Sequence, residues 1–279
     1  MMVKLEQSID VSKHNDVQLA NSTIALGPVK MNVFSFAVDG ILIDTGAQSL
    51  LPSFRSFFEQ ADFEQVMLTH FHEDHIGCAA WIKEQRDIPF YIHKDSVERC
   101  SKEYIYPKYR QYFWGQSEPF QAQAIGETFQ SKNATWDVIN TPGHTQDHLA
   151  FLNKETGALF TGDLFIQEKT KVILAEENIL DTLQSLRKLL TYDFKDMYCC
   201  HAGYIEDGHK VIKNKIDHLE VLQSQIINLH KKGMSVEEIT AQLFPRVYPI
   251  VETSEGEWSA IHIVKGFVEG STKKIRSTD

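Results

Sequence analysis

The segment Val66-Met67-Leu68-Thr69-His70-Phe71-His72-Glu73-Asp74-His75 sets three imidazoles and two carboxylates in six residues, directly behind an apolar run. No structural role asks for that density of ligand groups. Imidazole is the commonest metal-binding side chain, and histidine with carboxylate and no thiol suits zinc, manganese or iron. The β-type residues in front read as a strand, and Gly77 followed by Cys78-Ala79-Ala80-Trp81-Ile82 reads as the opening of a helix. The histidines therefore belong on a strand-to-helix loop at a sheet edge, where α/β proteins carry their chemistry. Glu73 reads as exposed, because its neighbours take the inward positions.

Upstream, Val17-Gln18-Leu19-Ala20 and Val33-Phe34-Ser35-Phe36-Ala37-Val38 read as strands, and Asp39-Gly40 as a hairpin turn. Ile41-Leu42-Ile43 is the returning strand and ends at Asp44-Thr45-Gly46. That triplet has the form found in aspartic proteases, but no later loop supplies a matching carboxylate. Asp44 reads instead as a strand-end residue that buttresses a nearby loop. Downstream, Ile88–His93 reads as a short strand, and residues 95–130 gather Tyr104, Tyr106, Tyr109, Tyr112, Phe113 and Trp114 with Lys102, Lys108 and Arg110. Such an insertion either packs on the body or forms a substrate wall, since aromatics among cations suit an anionic or planar ligand.

Three later strands each run into a loop bearing one ligand-type residue. Trp136–Ile139 leads to Thr141-Pro142-Gly143-His144-Thr145, Ala158–Phe160 to Thr161-Gly162-Asp163, and Met197–Cys200 to His201-Ala202-Gly203. Between them lie a strand, Leu149–Leu152, and an amphipathic helix carrying Ile179, Leu183, Leu186 and Leu190. The chain closes with a long helix from Val211 to His230 and two Ser-x-x-Glu capping boxes, Ser235 with Glu238 and Ser254 with Glu257. The second box predicts a helix carrying Trp258, Ile261, Val264 and Phe267 up to Gly270, with Ser271–Asp279 frayed.

The ordered set His-x-His-x-Asp-His, Thr-Pro-Gly-His-Thr, Thr-Gly-Asp and a late histidine resembles the metallo-β-lactamase superfamily. The likeness is to the hydrolase branch of glyoxalase II, RNase Z-type nucleases and lactonase-type enzymes. Thr141 to His148 and the C-terminal helices resemble its lactamase-β-like endoribonuclease group. The resemblance covers roughly residues 15 to 270. It implies an α/β (α+β) fold, the four-layer αβ/βα sandwich, with a catalytic domain over residues 1–210 and a C-terminal helical module over 211–279.

The same resemblance implies two divalent metal ions, zinc first, with manganese or iron as alternatives. His70, His72 and His144 would bind one; Asp74, His75 and His201 the other; Asp163 would bridge them. Two such ions lower the pKa of a shared water and polarise the bond under attack. Asp74 would also carry a proton to the leaving group, and His148 and Tyr204 are candidates to touch substrate. The family's usual Pro-Gly-His around the last ligand appears here as Cys200-His201-Ala202, which changes loop stiffness and keeps the imidazole.

With 28 Lys and Arg against 38 Asp and Glu, the net charge of −10 disfavours a polyanion-binding surface. The N-terminus lacks an apolar core of signal-peptide length and no run reaches a membrane span, so a cytoplasmic protein is expected. Four cysteines without a Cys-x-x-Cys pair read as reduced and buried. The reading is a metal-dependent hydrolase of an ester, thioester or lactone, with a small-molecule substrate. Its rivals are a nuclease or phosphodiesterase with the same dinuclear site, and a mononuclear iron oxidoreductase of the persulfide dioxygenase kind.

Overall fold

A computed structural model describes residues 6–26 and 28–276. By its internal packing the chain divides into two compact units. The first comprises the chain up to Asn140, Asp147–Ile166 and Phe194–Gly208; the second, Thr141–Gln146, Gln167–Asp193 and the chain from His209 on.

In the first unit, strands β1 (Glu6–His14), β2 (Val17–Leu26), β3 (Val29–Val38), β4 (Gly40–Ile43), β5 (Phe63–Met67), β6 (Phe90–Ile92) and β7 (Gln123–Ala124) form one sheet in sequential order. The pairs up to β3–β4 are antiparallel hairpins, and those from β4–β5 onward are parallel. The change has a local cause. Asp39 and Gly40 both take positive φ, 47° and 81°, the conformation of a tight hairpin turn. After β4 the chain must cross over, through α1 (Leu51–Gln60), then α2 (Glu73–Ile76) and α3 (Ala79–Gln85). Pro52 near the start of α1 suits a helix N-terminus, and Phe54, Phe57 and Phe58 are buried along it. Helices α4 (Val97–Cys100) and α5 (Lys108–Trp114) lie in the aromatic insertion.

The second sheet is built from β8 (Thr128–Gln130), β9 (Thr135–Asn140), β10 (Leu149–Asn153) and β11 (Leu159–Phe160). Omitting β12 (Ile173–Leu174), it continues with β13 (Met197–Cys199) and β14 (Gly203–Ile205), in the order β14-β13-β11-β10-β9-β8. The two sheets share one apolar core. Phe36, Ile41, Ile43 and Met67 from the first meet Trp136, Phe151, Phe160 and Tyr198 from the second. Phe36 stands edge-on to Phe160 at 5.4 Å and to Tyr198 at 5.9 Å. Burying each such side chain contributes about 1.5–3 kcal/mol.

The second unit holds α6 (Ile179–Leu189), α7 (Gly208–Lys231, from its second residue), α8 (Val236–Leu243), α9 (Pro249–Thr253) and α10 (Ile261–Arg276). Asn178 caps α6 by accepting from Leu180 and Asp181 N–H, and the Ser235–Glu238 capping box is present on α8. The Ser254 box does not open a helix. Ser254 follows α9 as its C-cap, and Trp258–Ser259 form β15, paired with β12. Nor does α10 end at Gly270. It continues to Arg276, and residues 277–279 of the expected frayed end lie outside the described residues.

Candidate metal centre

The ligand run starts from β5 and is held by β4, its parallel neighbour. Asp44, the residue after β4, is fully buried at φ 55°. Its Oδ1 accepts from Thr69 N–H at 2.8 Å, and its Oδ2 from the Thr69 hydroxyl at 2.8 Å. Because that hydroxyl proton goes to Asp44, Thr69 Oγ1 accepts from His70 Nδ1–H, 3.0 Å away, which leaves the His70 Nε2 lone pair for a ligand role. His75 Nδ1 lies 2.8 Å from Asp44 Oδ2 and donates to it, with the same consequence for its Nε2. Cys200 Sγ–H is a further donor to Oδ2, at 2.9 Å. Burial beside Asp44 and Asp163 pushes this thiol well up, so it stays a neutral donor. Thr45 fixes the same turn, its N–H and hydroxyl donating to the His75 carbonyl at 2.7 and 2.9 Å.

The next candidate ligands arrive on the second sheet. Strands β11 and β13 are parallel neighbours, so the loops after them, carrying Asp163 and His201, emerge on one side. His201 Nδ1 lies 2.6 Å from the Asn32 carbonyl and donates to it. Its Nε2 is 3.0 Å from Asp163 Oδ2 and 3.3 Å from Asp74 Oδ2. His75 Nε2 lies 3.4 Å from Asp163 Oδ2 and 3.8 Å from Asp74 Oδ1. One ligand atom from each of Asp74, His75, Asp163 and His201 thus falls within 4.8 Å of the others. Burial alone would depress both imidazoles. The carboxylates overcome it, holding His75 and His201 well above their ordinary value. Asp163 and Asp74 are lowered in return: burial would raise them, but His75 and His201 outweigh it. A cluster that takes up protons against its own burial is one suited to a cation.

His70 and His72 are both buried, their rings 4.6 Å apart, and His70 lies 4.0 Å from the His75 ring. His144 belongs to the second unit. Its Nδ1 faces Glu177 Oε1 at 3.5 Å, and Glu177 is itself fixed by accepting from Leu174 N–H at 2.8 Å. A carboxylate behind a histidine orients the ring and raises its basicity as a ligand. Gly143 has φ 145°, and a Cβ there would fall 2.4 Å from Thr182 N, so glycine is required for the loop to lie on α6.

Glu73 is not exposed. It is fully buried and receives two hydrogen bonds from Arg110 of α5, one of them Nη2 to Oε2 at 2.7 Å. The guanidinium, which burial would depress, is held firmly charged by Glu73. Glu73 turns away from its neighbours because its partner lies in the aromatic insertion. Asp147 is a second tie to that insertion, accepting from Phe71 N–H at 2.9 Å and the Ser96 hydroxyl at 2.5 Å.

His148, considered for substrate contact, is fully buried, and its Nε2 accepts from Asp163 N–H at 3.0 Å. That position orients a ligand loop. Tyr204 stacks on His14 at 4.3 Å and donates to Asp196 at 3.1 Å, toward the end of β13 opposite His201. The sequence gives Thr69 and Glu177 no role, reads Glu73 as exposed, names Arg110 only among the cations of the insertion, and carries Asp147 only as part of the run from Thr141 to His148.

Known proteins resemble this arrangement. Over 258 residues the chain is 27% identical to the beta-lactamase-like protein 2 homolog of Drosophila melanogaster, covering 86% of this chain and 82% of that one. It is 25% identical over 191 residues to an atrochrysone carboxyl ACP thioesterase of Passalora fulva, covering 64% of this chain and 51% of that one. A solved metallo-beta-lactamase family protein of Thermus thermophilus superposes with a TM-score of 0.64 at 20% identity, over 91% of this chain and 94% of that one, and shows the shared mixed α/β fold. The model of the metallo-beta-lactamase superfamily matches residues 32–201, which is more than half of the chain. The protein belongs to the metallo-beta-lactamase superfamily.

Proposed function

We propose that this protein is a hydrolase of ester, thioester or lactone bonds that works with two divalent metal ions, zinc first. The observation that carries the reading is the convergence of Asp74, His75, Asp163 and His201, with both imidazoles tied at Nδ1 and turned by Nε2 toward two carboxylates. That donor set, nitrogen and oxygen with the nearby thiol kept neutral, fits zinc, manganese or iron. In this reading His70, His72 and His144 hold one ion, Asp74, His75 and His201 the other, and Asp163 both. When bound, the pair supplies a hydroxide nucleophile at neutral pH and polarises the scissile carbonyl.

The chain's own residues do the rest. Asp44 sets the tautomers of His70 and His75, His148 aims the Asp163 loop, and Asp74 carries a proton toward the leaving group. A thioester is favoured among the substrates by the thioesterase named above. The net charge disfavours nucleic acid. Among the described residues no helix is long and apolar enough to cross a membrane. Four free, buried cysteines support a reducing, cytoplasmic setting. We also infer that residues 1–210 carry the catalytic machinery and that 211–279 are a helical appendage.

Metal analysis of protein purified without added metal, followed by a panel of thioester, lactone and bis-phosphate chromogens, tests the reading. Two zinc or manganese ions per chain with thioester or lactone turnover is the expected result, lost in His75→Ala and Asp163→Ala while far-ultraviolet circular dichroism is unchanged. A single iron with sulfide-dependent oxygen uptake would overturn it.

A further inference from the structure

The aromatic insertion holds a cation that the metal chemistry leaves unused. The Arg99 guanidinium sits 4.3 Å over the ring of Phe71, the residue between His70 and His72, and 5.2 Å over Tyr104. Tyr104 in turn meets Phe71 edge-on at 5.9 Å. Arg99 is exposed, and among the described residues no carboxylate pairs with it and no side-chain hydrogen bond reaches its guanidinium. Its neighbours differ: Lys102 pairs with Glu98, and Arg110 with Glu73. In a chain of net charge −10 an unmatched arginine stands beside the ligand run while acidic partners are abundant. Tyr104 and Ile105 lie next to it in sequence, 44% and 80% exposed.

The surface is also preformed. The insertion is tied to the ligand loop by Arg110 on Glu73 and by Asp147, which joins Ser96 to Phe71 N–H. It is tied to the body by Ser49, whose hydroxyl donates to the Phe113 carbonyl at 2.5 Å. With its guanidinium carbon over these rings and, among the described residues, no carboxylate on its N–H groups, Arg99 can form a bidentate pair with an oxyanion, a geometry that lysine does not offer.

Resting on the hydrolase reading above, we propose that Arg99, with Tyr104 and Ile105, is an anion-recognising subsite. It binds a carboxylate or phosphate carried by the substrate away from the bond that is cleaved, while the two apolar side chains cover the linking segment. The anion sits either on the acyl portion, as a second carboxylate, or on the leaving thiol, as a phosphate.

Two measurements on metal-loaded wild type, Arg99→Gln and Arg99→Lys separate these sources and keep the subsite distinct from the hydrolase reading. The first is titration calorimetry with succinate and with desulfo-coenzyme A, which needs no turnover. Arg99→Gln should bind one of the two about tenfold or more weakly, as expected for a lost hydrogen bond to a charged group, and wild-type binding should weaken with added salt. Arg99→Lys should recover only part. The second compares kcat/KM for the N-acetylcysteamine thioesters of butyrate and succinate and for butyryl-coenzyme A. The ratio of the favoured anionic substrate to the neutral one should fall about tenfold in Arg99→Gln, through KM. Equal binding of both probes by wild type and Arg99→Gln overturns the subsite, whatever the turnover. Absence of all thioester turnover with binding still dependent on Arg99 overturns the thioester reading and leaves the subsite standing.

Discussion

Replacing Asp44 by asparagine tests whether one carboxylate organises both halves of the metal centre. Four donors converge on it: Thr69 N–H at Oδ1, and the Thr69 hydroxyl, His75 Nδ1–H and Cys200 Sγ–H at Oδ2. Asparagine keeps one acceptor oxygen. Turned to meet the three donors at Oδ2, it sets its own NH2 against Thr69 N–H and strands that buried donor, at about 1–3 kcal/mol. The three bonds that survive lose the carboxylate's charge, at roughly 1 kcal/mol each. Relief of the desolvation of the Asp44 charge offsets part of this. The net should be about 3–5 kcal/mol, the usual cost of breaking a buried ionic contact from one side. Set against a typical stability of about 5–15 kcal/mol, Asp44→Asn still folds but unfolds at clearly lower urea.

The effect on metal should be larger in kind than in energy. His70 reaches Asp44 through Thr69 and His75 reaches it directly, so in the proposed two-metal reading both ions should bind about 10–100-fold more weakly, the range for lost outer-shell partners. Thr69→Val serves as the control, because it cuts the relay to His70 and leaves the His75 bond in place. It should weaken one ion and spare the other. Competition with a chromogenic chelator, together with urea unfolding of the same samples, reads both quantities. If Asp44→Asn holds two zinc ions as tightly as wild type and unfolds at the same urea concentration, the hub argument is wrong.

Removing one partner of the buried Glu73–Arg110 pair leaves the other charge uncompensated, so Glu73→Gln and Arg110→Met should each destabilise by about 3–5 kcal/mol. The double variant should recover much of that loss in urea unfolding, and strictly additive losses would refute the pairing. The metal-free protein should respond to pH in a direction set by its clustered charges. His75 and His201 are raised above the ordinary 6.5, burial opposing and Asp163 with Asp74 prevailing. A raised value gives stability that is full below the unfolded pKa and lost as pH climbs through the folded one. Asp74 and Asp163, lowered from 3.8, lose their contribution only in strong acid. Thermal melting of the metal-free form should therefore fall as pH rises from 6.5, whereas metal affinity should rise as ligands shed protons. Stability of the metal-free form that climbs across that range would contradict the assigned partners.

The ligand loops were legible because their logic is local. An apolar run sets a strand, its end sets a loop, and the candidate ligands His70, Asp163 and His201 stand near the start of such loops, with Asp74 in α2 just beyond the first. Edge strand β1 was not, since Glu6–His14 offers only Ile9 and Val11 amid polar residues, and its identity comes from pairing with β2 along its whole length. Nor could the C-terminal helix be bounded locally. Trp258 and Ser259 are drawn into pairing with Ile173 and Leu174, more than 80 residues away, against a sound capping signal. Gly270 reads as a stop, yet there a Cβ would fall 2.1 Å from Leu180 Cδ1, so its absence lets the helices approach and the helix continues.

The deeper gap concerns roles rather than elements. Asp44 looked like a lone buttress because three of its four donors, from Thr69 and His75, lie 25 and 31 residues off, and the fourth, from Cys200, lies 156 off. Glu73 reads as exposed because its neighbours take the inward positions, and its partner Arg110 lies 37 residues away. Asp44 does buttress the loop, through more donors than its place in the sequence shows, whereas Glu73 is not exposed, and one physical cause lies behind both. A sequence displays which groups are able to ionise, while burial decides which of them must find partners. In this protein the residues beside and between the candidate ligands carry that burden. Glu73 fastens the loop to the insertion, Thr69 relays Asp44 to His70, and Phe71 offers the surface on which Arg99 rests. If Arg99 and Tyr104 form the subsite proposed above, these ties hold it at a fixed position relative to the histidines, and substitutions at Arg99 should change substrate preference without changing metal content.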